Sequence, residues 1–238
     1  MLLDVPTTNP GLVDSCLLVL HDWSSFISLE EEEIDKERGV ILEELRSRDN
    51  ADQRMLQKTL PIMYPNSNYG NRLPGGLPEV VANFEYQTLR DYYKKWYRPD
   101  LQGIIVVGDI DVDKIENRIK EMFADITLAE DATPRTYFPV EDNIEPIVAI
   151  ASDPEASNYS LMVFYKHDAI PYEAKNSLEY FLLSYITNMV TTMSNYRYQD
   201  ITKQAEPPFV YGYSYYGNYY VSPTKDAWTN VAMPKNAD

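Results

Sequence analysis

The sequence is short of cysteine, of histidine and of positive charge. One cysteine, Cys16, stands among 238 residues, which excludes an internal disulfide and a cysteine-built zinc site while leaving the redox compartment open. Set in "LVDSCLLVLHDW", Cys16 reads as a residue packed in a helix rather than a reactive thiol. Against 37 Asp and Glu there are only 21 Lys and Arg, a formal net charge of −16. Phosphate backbones are held by clustered cations, so nucleic acid is excluded as a partner. Neutral or basic partners such as peptides fit better. No run approaches the ~18 apolar residues that mark a membrane span, so none is expected. The opening "MLLDVPTTNPG" has neither the basic nor the long apolar segment of a secretory signal. It reads as a strand, Leu2 to Val5, that enters a loop. A chain that opens inside an element, and stops at "PKNAD" just after one, is expected to be part of something longer.

What is present suffices for a core. A hydrophobic content of 44% and a charged content of 24% are ordinary for a globular chain, and the length allows one large or two medium domains. Apolar spacing predicts a helix over Leu12 to Trp23, with His21 at its end as an ordinary terminal residue. A second helix runs from the S-x-x-E capping box Ser28–Glu31 through Ile34, Val40, Ile41 and Leu45 to about Met55. "YPNSNYGNRLPGGLPE" is a long loop of the kind that borders a site. Helices follow from Pro78 and over Tyr86 to Tyr97, then a buried strand in "LQGIIVVGDID" and a helix from Val112 to Phe123 capped by Asp111. "LAEDATPRTYFPVEDNIEP" has linker composition and places a boundary near 129–139. Beyond it come strands in "EPIVAIAS" and "NYSLMVFYKHD", a long helix from Tyr172 to about Ile201, and strands in "FVYGYSYYGNYYVS" and "AWTNVAM". His167 reads as a structural or surface residue. The tyrosines from Tyr211 to Tyr220 read as a half-buried sheet face, with stacking on a ligand as the alternative.

The chemistry concentrates in "LEEEEIDKERGVILEELRSRDN". Glu30 to Glu33 have a simple explanation, since carboxylates in a first helical turn complement the helix dipole. Glu37 and Glu44 are different. At about 100° per residue, seven positions come within roughly 20° of two full turns, so the two stand on one face. Val40, Ile41 and Leu45 flank that line, which places it on the buried side of the helix or at its edge. A carboxylate there needs a cation, a donor or a metal. A salt bridge from Glu44 to Arg48 and a metal are both open on geometry alone.

"EIDKERGVILEEL", a "YG...PGG" loop, "YYKKWYRPDLQGIIVVGDID" and a helix ending in "MF" follow one another over about residues 1–126. In that order they resemble the insulinase/pitrilysin family of zinc metallopeptidases, which includes processing peptidases. "NYRYQDITKQAEPPF" and "VSPTKDAWT" are more loosely similar to the family's second domain. The resemblance implies an α+β fold of repeated domains, each a mostly antiparallel sheet packed against helices. Residues 1–130 would be the C-terminal part of the first, zinc-type domain, and 131–238 the start of the second. In the family, zinc is held by two histidines of an H-x-x-E-H helix and by the second glutamate of an E-x(6)-E pattern downstream. By resemblance Glu44 is that zinc ligand, and Glu37 is a carboxylate that orients a ligand histidine.

This sequence contains no H-x-x-E-H; His21 and His167 are far apart and in unrelated contexts. No catalytic residue is therefore assigned, and the chain alone is expected to bind zinc weakly or not at all. The resemblance implies a part of a zinc endopeptidase, with a peptide substrate, a second homologous half or partner subunit, and a periplasmic setting over a cytoplasmic one. A non-catalytic family subunit that pairs with an active peptidase and binds substrate is the alternative.

Overall fold

A computed structural model describes residues 2–236. It divides into two compact units that do not follow chain order. One comprises Met1–Glu44 and Leu77–Arg135; the other comprises Leu45–Gly76 and Thr136–Asp238.

The first unit is helical. Helix α1 (Pro10–Ser25) is capped by Asn9, whose side chain accepts from Gly11 N at 3.1 Å. Helix α2 (Glu31–Ser47) begins later than the capping box predicts. Leu29 has φ +49°, a left-handed conformation that a helical residue cannot hold. The first turn closes instead on Glu30, whose carbonyl accepts from Glu33 N and Ile34 N. Helices α4 (Pro78–Asn83), α5 (Tyr86–Trp96) and α6 (Val112–Met122) complete the unit. Asp111 caps α6 as expected, accepting from Lys114 N at 3.1 Å. Buried apolar residues are sparse here, Leu17 and Ile34 among them. Polar ties join the helices instead. The Tyr93 hydroxyl donates to the Trp23 carbonyl at 2.9 Å, and Gln102 Nε2 donates to Ser24 O at 2.9 Å.

The second unit carries the sheet. Helix α3 (Ala51–Met63) is separate from α2, because Asn50 is extended and its side chain caps α3 by accepting from Gln53 N at 3.0 Å. The single helix expected to reach Met55 is thus two. Strands β1 (Leu161–Asp168), β2 (Phe209–Asn218) and β3 (Lys225–Pro234) form an antiparallel sheet in the order β1-β3-β2. Helix α7 (Leu178–Thr202), capped by Ser177, packs against β2. Central β3 is the most deeply buried strand, with Ala227, Thr229 and Val231 enclosed. Leu60, Tyr64, Val140, Tyr219 and Ala227 make the core. Gly70 lies so close to the end of α3 that a Cβ there would meet the Tyr64 carbonyl at 2.9 Å, which accounts for a glycine in this loop. The fold is α+β, an antiparallel sheet packed against helices.

Three expected strands are not formed. Leu2–Val5, the "GIIVV" stretch and the "PIVAI" stretch carry no ladder, and Ile105, Val107, Val148 and Ile150 are exposed rather than buried. Each has strand composition, but a strand exists only where a neighbour takes its N–H and C=O groups. No such neighbour lies beside them among the described residues.

Candidate functional site

The two glutamates singled out by spacing lie on α2, and the structure keeps them on one side of it. Glu37, Val40 and Glu44 are all exposed, whereas Ile34, Arg38, Ile41 and Leu45 are buried or half-buried. The Glu37–Glu44 line therefore borders the inner face and opens to solvent, the edge position of the two that the spacing allowed. Glu31 to Glu33 form the solvated acidic turn foreseen for them. Lys36 Nζ meets Glu32 and Glu33 at 3.0 and 2.7 Å, all three side chains being more than half exposed.

What holds α2 in place is Arg38, a residue the spacing reading passed over. Its Nη1 donates to the Val81 carbonyl at 2.5 Å and its Nη2 to the Phe84 carbonyl at 2.6 Å. Its guanidinium also lies over the Phe84 ring, 3.8 Å from the centre. These are carbonyls at and just past the end of α4, where helix acceptors lack intrahelical donors. Arg38 Nε bonds Asp35 at 3.0 Å, and Asp35 accepts from the Tyr86 hydroxyl at 2.7 Å. The Tyr86 hydroxyl, and then Arg38, hold the Asp35 carboxyl below its usual range, while that carboxylate raises the Tyr86 phenol. Arg90 completes the frame by donating to the Leu29 carbonyl at 3.0 Å. The Asp35–Arg38 pair at i,i+3 was visible in the sequence; its reach to residues more than forty positions away was not.

Each histidine has partners of its own within its unit. His21 bonds Asp22 and Asp125, and His167, on β1, bonds the Asp168 carbonyl and the Tyr216 hydroxyl. Cys16 is free and half-buried on α1. Among the described residues no group of three or more His, Cys, Asp or Glu is placed to hold a metal. The residues present here do not by themselves fit a zinc site. The tyrosines of β2 form a ladder: Tyr211, Tyr213 and Tyr215 stack in succession with ring centres 6.2 and 6.1 Å apart.

Residues 83–222 match the peptidase M16 inactive domain. The match takes in more than half of the chain, and the chain belongs to the peptidase M16 family. Its relatives include a "Zinc protease PQQL-like" from Arabidopsis thaliana, 29% identical over 206 residues, covering 86% of this chain and 21% of the relative. The "Probable zinc protease PqqL" of Escherichia coli is 28% identical over 202 residues, covering 85% of this chain and 21% of the relative. The crystal structure of the periplasmic protease PqqL from Escherichia coli superposes with a TM-score of 0.79 at 24% identity, over 97% of this chain and 25% of that one. The chain thus spans about a fifth of the length of these curated relatives. No described helix is long and apolar enough to cross a membrane.

Proposed function

We propose that this chain works as a non-hydrolysing part of a zinc-dependent endopeptidase, in which Glu44 supplies one protein ligand to the metal and Glu37 orients a histidine that supplies another. The observation that carries this reading is the E-x(6)-E pair of α2, held on one exposed side of the helix in a chain of the peptidase M16 family. An exposed pair suits a site completed by residues outside this chain, and the histidines would come from there. The two-domain reading, residues 1–130 as the end of a zinc-type domain and 131–238 as the start of the next, belongs to the same proposal. So do a peptide substrate and a second homologous half or partner subunit. A periplasmic setting is carried over from the Escherichia coli protease, whose structure is described as periplasmic.

One observation favours a second reading, a non-catalytic subunit that pairs with an active peptidase and binds substrate. The matched region, 83–222, is described as an inactive domain, and it begins downstream of both Glu37 and Glu44. The coding sequence upstream of Met1 separates the two readings. An intact H-x-x-E-H there supports the endopeptidase, and a decayed one supports the subunit. The decisive measurement is zinc content and peptide hydrolysis of the longer protein with and without Glu44→Gln. Loss of metal and activity is expected, and full retention of both removes Glu44 from the ligand set.

A further inference from the structure

His21 sits in the last turns of α1 with a carboxylate on each ring nitrogen. Nδ1 is 3.1 Å from Asp22 Oδ1, and Nε2 is 3.0 and 3.3 Å from the two oxygens of Asp125. The side chain is only 12% exposed, whereas the two carboxylates are 57% and 59% exposed. Its ring is stacked on Phe26 at 4.6 Å and met edge-on by Phe123 at 5.3 Å. Phe123 ends α6, and the turn it opens, closed by Ile126 N to Phe123 O, carries Asp125. The ring therefore joins the end of α1 to the end of α6, two elements separated by more than eighty residues of chain.

A neutral imidazole has one N–H and one lone pair, so it can donate to only one of two carboxylates and turns a lone pair on the other. The imidazolium donates to both. We propose that His21 is a pH-operated clamp between α1 and α6, closed as the imidazolium and weakened when the ring loses its proton. The charged groups acting on it are Asp125 from the turn after α6 and Asp22 from α1. Arg118, the α6 cation that also reaches α1, is engaged by Asp14 at 3.1 Å and Glu121 at 3.9 Å. The bond to Asp125, then that to Asp22, outweigh the opposing cost of burial and raise the folded pKa above 6.5. A basic group raised on folding stabilises fully below its unfolded value, and that contribution is lost as pH rises through the folded value. The clamp is thus closed below 6.5 and loosens as pH rises through the higher, folded value.

The test is a ring-proton NMR titration of the intact chain. It has two histidines, and His167→Gln assigns the signals. The expected result is a His21 midpoint above 6.5, lowered by Asp125→Asn and lowered less by Asp22→Asn. Hydrogen exchange of the last turn of α6, corrected for the intrinsic pH dependence, should lose protection several-fold across that midpoint. Asp125→Asn should abolish this step. A midpoint at or below 6.5, or α6 protection indifferent to the titration, overturns the clamp.

Discussion

The side-chain amide of Asn195 does for Ser214 what a neighbouring strand would do. Its Oδ1 accepts from Ser214 N at 2.7 Å, and its Nδ2 donates to Ser214 O at 3.2 Å. Ser214 lies mid-way along β2, an outer strand of the sheet, and is 1% exposed. An edge strand presents unpaired backbone groups that must be covered or solvated, and here a helix residue covers one pair of them.

Asn195→Ala would leave a buried N–H and C=O without partners, at an expected cost of about 1–3 kcal/mol. Asn195→Asp keeps the acceptor but turns a carboxylate toward the Ser214 carbonyl, so it should not restore the loss. Urea unfolding of the two variants checks this. Equal stability of Asn195→Ala and the parent would mean that water serves Ser214 equally well.

Tyr64 makes a comparable tie inside the core. Its hydroxyl donates to the Tyr219 carbonyl and accepts from Val221 N at 3.1 Å, while the residue is 1% exposed. Tyr64→Phe should cost about 1–3 kcal/mol, mostly through the two backbone groups left behind. Burial also raises the phenol well above its ordinary 10.0. The unfolded phenol loses its proton first, so stability present below pH 10.0 falls as pH climbs above it. The parent should therefore lose stability above that pH more steeply than Tyr64→Phe, which chemical denaturation across the alkaline range will show.

The sequence carried much of this architecture in its spacing. Helices α1, α5 and α6 and strands β1, β2 and β3 fall where apolar periodicity and caps put them, whereas α7 starts at Leu178 rather than Tyr172, because 172–176 form a separate 3-10 turn and Ser177 caps the helix. The failures share a cause, which is that local composition cannot say who the neighbour is. "GIIVV" has every property of a buried strand except a partner among the described residues, and Ile105 and Val107 are exposed. Ser28–Glu31 has the letters of a capping box, yet Leu29 at φ +49° places the helix start beyond it. At the candidate site, the shared side of Glu37 and Glu44 was legible from helical geometry. The bracing of that helix by Arg38 was not, because its acceptors are main-chain carbonyls, which have no signature in side-chain type.

Lys225 offers a test of asymmetry in an ion cluster. It is 4% exposed at the start of β3, and its Nζ meets Asp142 at 2.7 Å and Asp168 at 2.6 Å. Those carboxylates are 74% and 85% exposed. Lys225→Met removes the buried charge and leaves two solvated carboxylates, a mild change. Asp142→Asn with Asp168→Asn leaves a buried ammonium without a counter-charge and should destabilise more. Lys225 holds the Asp142 carboxyl below 3.8. That contribution is present above 3.8 and is lost as pH falls through the folded value, so the parent should lose its margin over Lys225→Met in acid. Thermal denaturation of the three proteins between neutral pH and strong acid measures both effects. A double variant more stable than Lys225→Met would reverse the assignment of which charge is buried at cost.

Arg38 braces α2 against the end of α4. One planar guanidinium serves two carbonyls, a carboxylate and an aromatic face at once. A lysine ammonium is a point donor and cannot hold that fork. Arg38→Lys should therefore lose at least one carbonyl bond and the stacking on Phe84, at about 1–2 kcal/mol, and Arg38→Ala should lose more. The loss should be local: faster amide exchange in α4, with Phe84 N to Val80 O among the first bonds to open, and little change in the sheet of the other unit. Because Glu37 is the neighbour of Arg38 on the same helix, a looser α2 also means a looser Glu37–Glu44 line. On the function proposed above, Arg38→Lys in a protein carrying the whole site should then release zinc faster than the parent while Glu44 is untouched. Unchanged exchange in α4 would show that Arg38 is not the brace.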